Sequence, residues 1–364
     1  MTACPICHAA VGDSEQFCEA CGAELSPTTV AAEVPPEEPS PGQPDLGLPV
    51  TSDLAGAASI CPGCGGEVAA DGYCGTCGAR APKRRDHFSE QPAGWVAAVC
   101  DRGIRHGRNE DAVAVAADPE PGSRAVLVVC DGVSSSVDSD LASLAAARAA
   151  RAVLVSSRSR GMGAGLSLIA AVTSRLEAAA DAASDAVIEV TRNAKAVADA
   201  DLPPAPNPAS CTFVAAVVEQ DLLVVGSVGD SRAYWLPDVG EAVALTLDDS
   251  FAQVRIAAGV PRAEAESGPQ SHAILRWLGE DAPDHKPTTS TMTLTQPGWL
   301  LVCSDGLWNY CSEAEDLAAL VRQTTGGPPE AAEPLTLADA LVGWANAQGG
   351  QDNISVALAR IQPG

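Results

Sequence analysis

Apolar runs of strand length that stop at an aspartate constrain this chain more than any other feature. Val-Leu-Val-Val-Cys runs into Asp131-Gly132, and Leu-Leu-Val-Cys-Ser runs into Asp305-Gly306. Asp352-Asn353 stands directly ahead of an Ile-Ser-Val run, and Arg108-Asn109-Glu110-Asp111 is a fourth acidic spot. One Asp-Gly pair would be an ordinary strand terminator. Four carboxylate turns at strand ends, each beside Gly or Asn, instead gather hard oxygen donors, which suit Mg or Mn rather than zinc. Strands are expected at 95–100, 125–130, 211–218, 222–228, 232–236, 298–303 and 354–360. Their continuous apolar character suits strands covered on both faces. Helical patterns occupy about 139–156, 164–198, 251–258, 313–323 and 335–347. The mixture over 94–364 predicts one α/β or α+β domain.

The cysteines set off what precedes it. Eight of the 13 Cys fall in the first 77 residues as four C-x-x-C pairs: Cys4/Cys7, Cys18/Cys21, Cys61/Cys64 and Cys74/Cys77. A C-x-x-C turn aims two thiolates at one centre, and two such turns complete the tetrahedron zinc prefers. The two halves repeat one another, with an aromatic (Phe17, Tyr73) before the third Cys and a Gly (Gly22, Gly78) after the fourth. They look like two short zinc ribbons, 1–25 and 60–80, each holding one structural zinc. Residues 26–59 carry seven Pro, five acids and no base. That composition cannot bury enough apolar surface to order itself, so a flexible tether is expected. A shorter linker is expected at 81–93. The five later Cys are single, as buried small hydrophobes usually are.

Charge limits the partners. The chain has 22 Lys and Arg against 47 Asp and Glu, a net charge of −25. Residues 1–79 contain no Lys or Arg at all, and each four-thiolate zinc site adds further negative charge. Nucleic acid and anionic lipid would be repelled, so protein contact is expected of the ribbons. No apolar run approaches the ~18 residues a membrane span needs. The N-terminus opens on Cys pairs rather than a basic and then apolar stretch, so a cytoplasmic location is expected. A monomer is expected.

The motifs, in order, resemble those of the metal-dependent serine/threonine protein phosphatases, the PPM family of type 2C. The chain reads N-E-D at 109–111, V-V-C-D-G at 128–132, S-C-T-F-V at 210–214 and G-D-S-R-A-Y at 229–234. It continues with L-T-L-D-D-S at 245–250, L-V-C-S-D-G-L-W at 301–308 and Q-D-N-I-S-V at 351–356. Seven motifs in the family's order make coincidence improbable. The resemblance implies an antiparallel β-sandwich flanked by helices, with two Mg or Mn ions at one end. Asp131 would bridge them, Asp305 and Asp352 would complete the first site, and the Gly132 carbonyl and Glu110 would serve the second. Asp111 would orient waters, and Asp230 would anchor a turn. Water activated between two cations would attack the phosphorus of phosphoserine or phosphothreonine. Phosphorylated proteins are the implied substrates, a cognate Ser/Thr kinase or its targets among them. The alternative is a catalytically weak scaffold that binds phosphoproteins.

Three departures stand out. The Gly-rich stretch after Asp-Gly is Val133-Ser134-Ser135-Ser136 here. Where some members carry an Asp for a third metal, this chain has Asn207-Pro208-Ala209, which leaves that site absent or weak. The family's phosphate-binding Arg falls on His106, between Arg105 and Arg108. An Arg is expected to take over, because it stays charged at every useful pH.

Overall fold

The computed structural model describes residues 2–3, 10–11, 60–61, 63–156, 166–197, 207–268, 270–326 and 332–362. Residues 1–59 and 60–364 form two separate units. In the first, β1 (Thr2–Ala3) pairs antiparallel with β2 (Ala10–Val11). Cys4, Cys7, Cys18, Cys21 and the 26–59 tether lie outside the described residues.

The second unit is a sandwich of two antiparallel sheets. One runs through β3 (His87–Ala93), β4 (Val96–Asp101), β10 (Arg232–Pro237), β11 (Val243–Ala244), β14 (Gly298–Cys303) and β15 (Ile354–Ile361). Their order is β11-β10-β14-β15-β4-β3. The other contains β5 (Asp111–Ala117), β6 (Arg124–Asp131), β8 (Phe213–Glu219), β9 (Leu222–Val228) and β13 (Thr288–Thr293), in the order β13-β9-β8-β6-β5. A small pair joins β7 (Ser210–Cys211) to β12 (Leu278–Gly279). The helices are α1 (Ser139–Ser156), α2 (Leu166–Val197), α3 (Phe251–Ala257), α4 (Arg262–Glu266), α5 (Asp305–Trp308), α6 (Ala314–Thr325) and α7 (Pro334–Gln348).

Alternation along the strands builds three apolar layers. Val113, Val115, Leu127, Val129, Val214 and Ala216 face the other sheet, where Val96, Ala98, Leu300, Val302 and Ala357 meet them. The opposite faces of β5, β6 and β8 pack on α1 and α2 through Ala112, Val128, Ala146, Ala150, Leu176 and Ala183. Leu301, Val356 and Leu358 pack on α6 and α7 through Leu317, Val321, Leu337 and Leu341. Small Ala side chains on α1 and α2 let those helices lie close to the sheet.

The antiparallel sandwich flanked by helices agrees with the expectation. Three strands of six or more residues escaped the sequence pattern. β13 reads Thr-Thr-Ser-Thr-Met-Thr and lies at a sheet edge with an exposed face, and β5 is half alanine. β3 lies within 81–93, so that stretch is not the linker the sequence suggested. It pairs with β4 from His87 to Ala93, with a bulge between Glu90 and Ala93 that accommodates Pro92. An edge strand with alternate residues exposed needs few apolar side chains, and its proline is tolerated at a bulge.

Candidate metal and phosphate site

Register brings the motif carboxylates to one end of the sandwich. Asp111 begins β5 and stands directly opposite Asp131, which ends β6. Ile354 stands opposite Asp101 at the end of β4, which places Asp352 and Asn353 at the same end. Asp305 opens α5 immediately after β14. Two glycines are steric necessities here. A Cβ on Gly132 would lie 2.6 Å from the Glu110 and Ser139 carbonyl oxygens, and one on Gly306 would run into the Asn353 carbonyl oxygen. The glycine after each motif Asp therefore lets a neighbouring backbone pass.

Asn353 ties the segments together. Its Oδ1 accepts from the Glu110 N–H at 2.7 Å, and its Nδ2 donates to the Arg102 and Arg108 carbonyls at 2.7 and 3.1 Å. Ser304 Oγ donates to Asp111 Oδ2 at 2.7 Å. The Asp131 N–H donates to Thr212 Oγ1 at 3.0 Å, and the Thr212 N–H to the Asp131 carbonyl at 2.8 Å. Glu110, 4% exposed, is gripped more fully. Arg108 Nε and Nη2 donate to its Oε1 at 2.9 and 2.7 Å, Ser139 Oγ donates to the same oxygen, and Ser134 Oγ donates to Oε2 at 2.6 Å. Burial opposes ionisation of Glu110, but Ser134, Ser139 and Arg108 outweigh it and hold the carboxyl below its ordinary range. The serine-rich departure after Gly132 thus serves to hold an anion.

The other carboxyls have fewer donors and no arginine: Asp111 has Ser304, and Asp305 Oδ2 accepts from Asn309 Nδ2 at 3.0 Å. Burial pushes Asp131 and Asp305 well above the carboxylate range, and their mutual proximity to Asp111, Asp230 and Asp352 pushes further. Asp111 is raised to about 6, burial and Asp352 outweighing the Ser304 hydrogen bond. Asp111 Oδ1 and Asp305 Oδ1 are buried with no hydrogen-bond partner. Unpartnered oxygens among mutually repelling acids are what divalent cations would satisfy, and the all-oxygen donor set fits Mg or Mn. Asp230 also stands among these acids and is raised to about 7, by burial first and then by Asp248.

Each acid raised in this way binds its proton more tightly folded than unfolded. As pH rises from the ordinary 3.8 through about 6 and 7, the cation-free fold therefore loses stability. The melting temperature of manganese-free protein is expected to fall between pH 5 and pH 8, and saturating manganese to flatten that fall. A manganese-free melting temperature that rises over this range would contradict the cluster.

Of the flanking cations, Arg108 is committed to Glu110. His106 sits between Glu110 Oε2 at 3.6 Å and Asp352 Oδ1 at 3.2 Å. Arg105 is exposed and has no ion pair among the described residues. Asn207, at the position of the third-metal Asp, clamps a loop instead: its Nδ2 donates to the Ser135 carbonyl at 3.0 Å and its own carbonyl accepts from the Val137 N–H. Asp305 and Asp352 line a cavity of ≈ 370 Å³ with His272, Trp308 and Tyr310. The sequence reading assigned no role to His272, which lies 3.9 Å from Asp305 through Nδ1.

Arg232 and Asp248, from two further motifs, serve as scaffolding. Arg232, from G-D-S-R, is 4% exposed and forks onto Asp248, from L-T-L-D-D-S, with Nε at 2.9 Å and Nη2 at 2.7 Å. Its guanidinium also lies 3.5 Å from the Trp308 ring centre, which fixes the helix that Asp305 begins.

The second ribbon stands at the start of this unit. Cys61, Cys64, Cys74 and Cys77 place their sulfurs within 4.8 Å of one another, a spacing the carboxylate cluster does not reach. Cys61 and Cys77 are 3.7 Å apart and Cys64 and Cys74 are 3.4 Å apart, near the roughly 3.8 Å that a tetrahedron of 2.3 Å zinc–sulfur bonds requires. Backbone N–H groups of Cys77 and Thr76 pull the Cys74 thiol down to about 6. None of the nine described cysteines forms a disulfide.

Comparison with known proteins agrees with this architecture. The protein phosphatase 2C model matches residues 104–344, and the double zinc ribbon model matches residues 4–78. The chain belongs to the protein phosphatase 2C family. It is 34% identical over 149 residues to the serine/threonine phosphatase stp of Listeria innocua serovar 6a, covering 40% of this chain and 55% of the relative. The chain thus spans about half the length of the curated relatives it matches. The serine/threonine phosphatase PstP/Ppp of Mycobacterium tuberculosis is similar in structure, with 26% identity and a TM-score of 0.56 over 73% of this chain and 98% of that one. The catalytic domain of PstP in complex with 2 manganese ions is 25% identical, with a TM-score of 0.53 over 73% and 98%. Among the described residues no helix is long and apolar enough to cross a membrane.

Proposed function

We propose that this chain is a Mg- or Mn-dependent protein phosphatase that removes phosphate from phosphoserine and phosphothreonine. The observation that carries the reading is the set of mutually raised acids with two unpartnered buried oxygens at one end of the sandwich. Asp131 would bridge two cations, Asp305 and Asp352 would complete one site, and Glu110 and the Gly132 carbonyl would serve the other. Such cations, when bound, lower the pKa of water toward neutrality and neutralise charge on the phosphoryl group. The protein's own share is to keep Glu110 anionic, to hold Asp111 where it can orient waters, and to bind the phosphate. The ribbons, with two structural zinc ions, would dock a protein partner. A phosphorylated protein, such as a cognate kinase or its target, would be the substrate of a cytoplasmic monomer.

Among the flanking cations Arg105 is exposed and without an ion pair among the described residues, so it would fork onto the substrate phosphate. Arg105→Ala is expected to raise KM for a phosphothreonine peptide about tenfold, the worth of one charged hydrogen bond at ~1.5 kcal/mol, with kcat little changed. Arg108→Ala should instead raise the manganese concentration needed for half-maximal rate. A KM that climbs above neutral pH in wild type and loses that slope only in His106→Ala would assign the phosphate to His106. The whole reading is tested by phosphate release from such a peptide: the full chain should release it with manganese and stop when manganese is removed.

A further inference from the structure

Residues 80–86 join the second ribbon to the sandwich, and the activity proposed above gives them no part. Arg85 is half-buried there and its guanidinium makes four hydrogen bonds. Nε donates to the Asn109 carbonyl at 3.1 Å, and Nη2 donates to the Asp111 carbonyl at 3.0 Å, the Asp140 carbonyl at 2.6 Å and Ser143 Oγ at 3.3 Å. Asn109 Nδ2 returns a hydrogen bond to the Arg85 carbonyl at 2.9 Å.

The placement of these acceptors matters more than their number. Asn109 and Asp111 flank Glu110, so the backbone on both sides of that residue is tied to one group. Asp140 and Ser143 lie in the first turns of α1, whose Ser139 hydroxyl holds Glu110 Oε1. A single guanidinium therefore locks the segment carrying Glu110 and Asp111 to the helix that orients the Glu110 carboxylate. Burial pulls the Arg85 pKa down against the pull of Cys100, Asp140 and Asp111. A cation in that setting is costly unless its donors are used, and only a planar fork serves acceptors in several directions. Arg80, at the end of the ribbon, adds an outer clamp: its Nη1 donates to the Gly107 carbonyl at 2.5 Å, in the same catalytic segment.

We infer that Arg85 is a positioning residue of the divalent-cation centre, and that the joint after the second ribbon belongs to the active-site framework. The inference rests on the reading that Glu110 and Asp111 serve that centre. Calorimetric titration of the full chain with manganese tests it, together with melting temperatures, for wild type, Arg85→Ala, Arg85→Lys and Arg360→Ala. Arg360 pairs with Asp238 through Nη1 at 2.8 Å, near the end of β15 remote from Asp352. Its loss should lower the melting temperature and leave manganese affinity at the wild-type value.

Arg85→Ala is expected to weaken manganese binding about tenfold or more, as loss of a group that orients a metal ligand does. Arg85→Lys should recover part of that loss, since a lysine keeps the charge but satisfies fewer carbonyls. Wild-type affinity in both Arg85 variants would overturn the inference, as would an equal loss of affinity in Arg360→Ala. If the alanine variant fails to fold, the lysine variant carries the comparison, and wild-type affinity in it overturns the inference. A wild-type chain that binds no manganese would overturn the cation centre itself.

Discussion

Replacing Asp131 or Asp305 by Asn is expected to lower phosphate release about a thousandfold or more at any manganese concentration. Asp131 faces Asp111 across the β5–β6 pair, and Asp305 carries one of the buried oxygens without a partner. Each substitution removes a negative charge where two cations are proposed to sit close together. Loss of cation-supplied stabilisation is worth several kcal/mol, and three decades of rate correspond to about 4 kcal/mol. The same substitutions should raise the melting temperature of manganese-free protein at pH 8, because they relieve repulsion among buried acids whose own charges are disfavoured there. Activity down and cation-free stability up is a signature that a merely misfolded variant does not give. Wild-type turnover in Asp131→Asn would rule out the bridging role.

The second large effect concerns where the chain can be cut. The sequence suggested a linker at 81–93, which a truncation could remove without cost to the domain that follows. The structure changes that expectation. A chain beginning at residue 82 keeps Arg85 and β3, and it should fold and turn over. A chain beginning at residue 94 loses the whole β3–β4 pairing, the Phe88 side chain packed on the core, and the donor to three carbonyls. Buried acceptors left without donors cost about 1–3 kcal/mol each, against a total stability of roughly 5–15 kcal/mol. The shorter chain should therefore unfold at a far lower urea concentration or fail to accumulate. Equal urea midpoints for the two chains would show β3 and Arg85 to be dispensable.

Much of the site was legible because the chemistry sits at strand ends. Runs such as 125–130 and 298–303 are apolar on both faces, so where they stop is visible, and the Asp at each stop is visible with it. Asp111, Asp131, Asp305 and Asp352 do lie at one end of the sandwich, whereas the backbones that make Gly132 and Gly306 necessary come from segments remote in sequence. What escaped notice depends on partners remote in sequence. Arg85 and Arg80 lay in a basic run that reads as a solvated linker, and only the fold shows which carbonyls they meet. β3 and β13 are polar edge strands, whose pairing comes from a neighbour rather than from their own pattern. Asp230 reads as a turn residue in G-D-S-R, and its place among the buried acids follows from the closeness of the β9–β10 corner to α5, where Trp308 Nε1 donates to its carbonyl at 2.9 Å. The surroundings of Arg105, His106 and Arg108 differ only in the fold, where Arg108 is spent on Glu110 and His106 lies between Glu110 and Asp352.

The most direct test of the account is the rate of phosphate release from a phosphothreonine peptide by the full chain, followed against manganese concentration. The rate should be negligible in metal-free buffer, rise to saturation with manganese, vanish on chelation and return when manganese is restored. Peptide binding without phosphate release at every manganese concentration, or release unaffected by chelation, would contradict it.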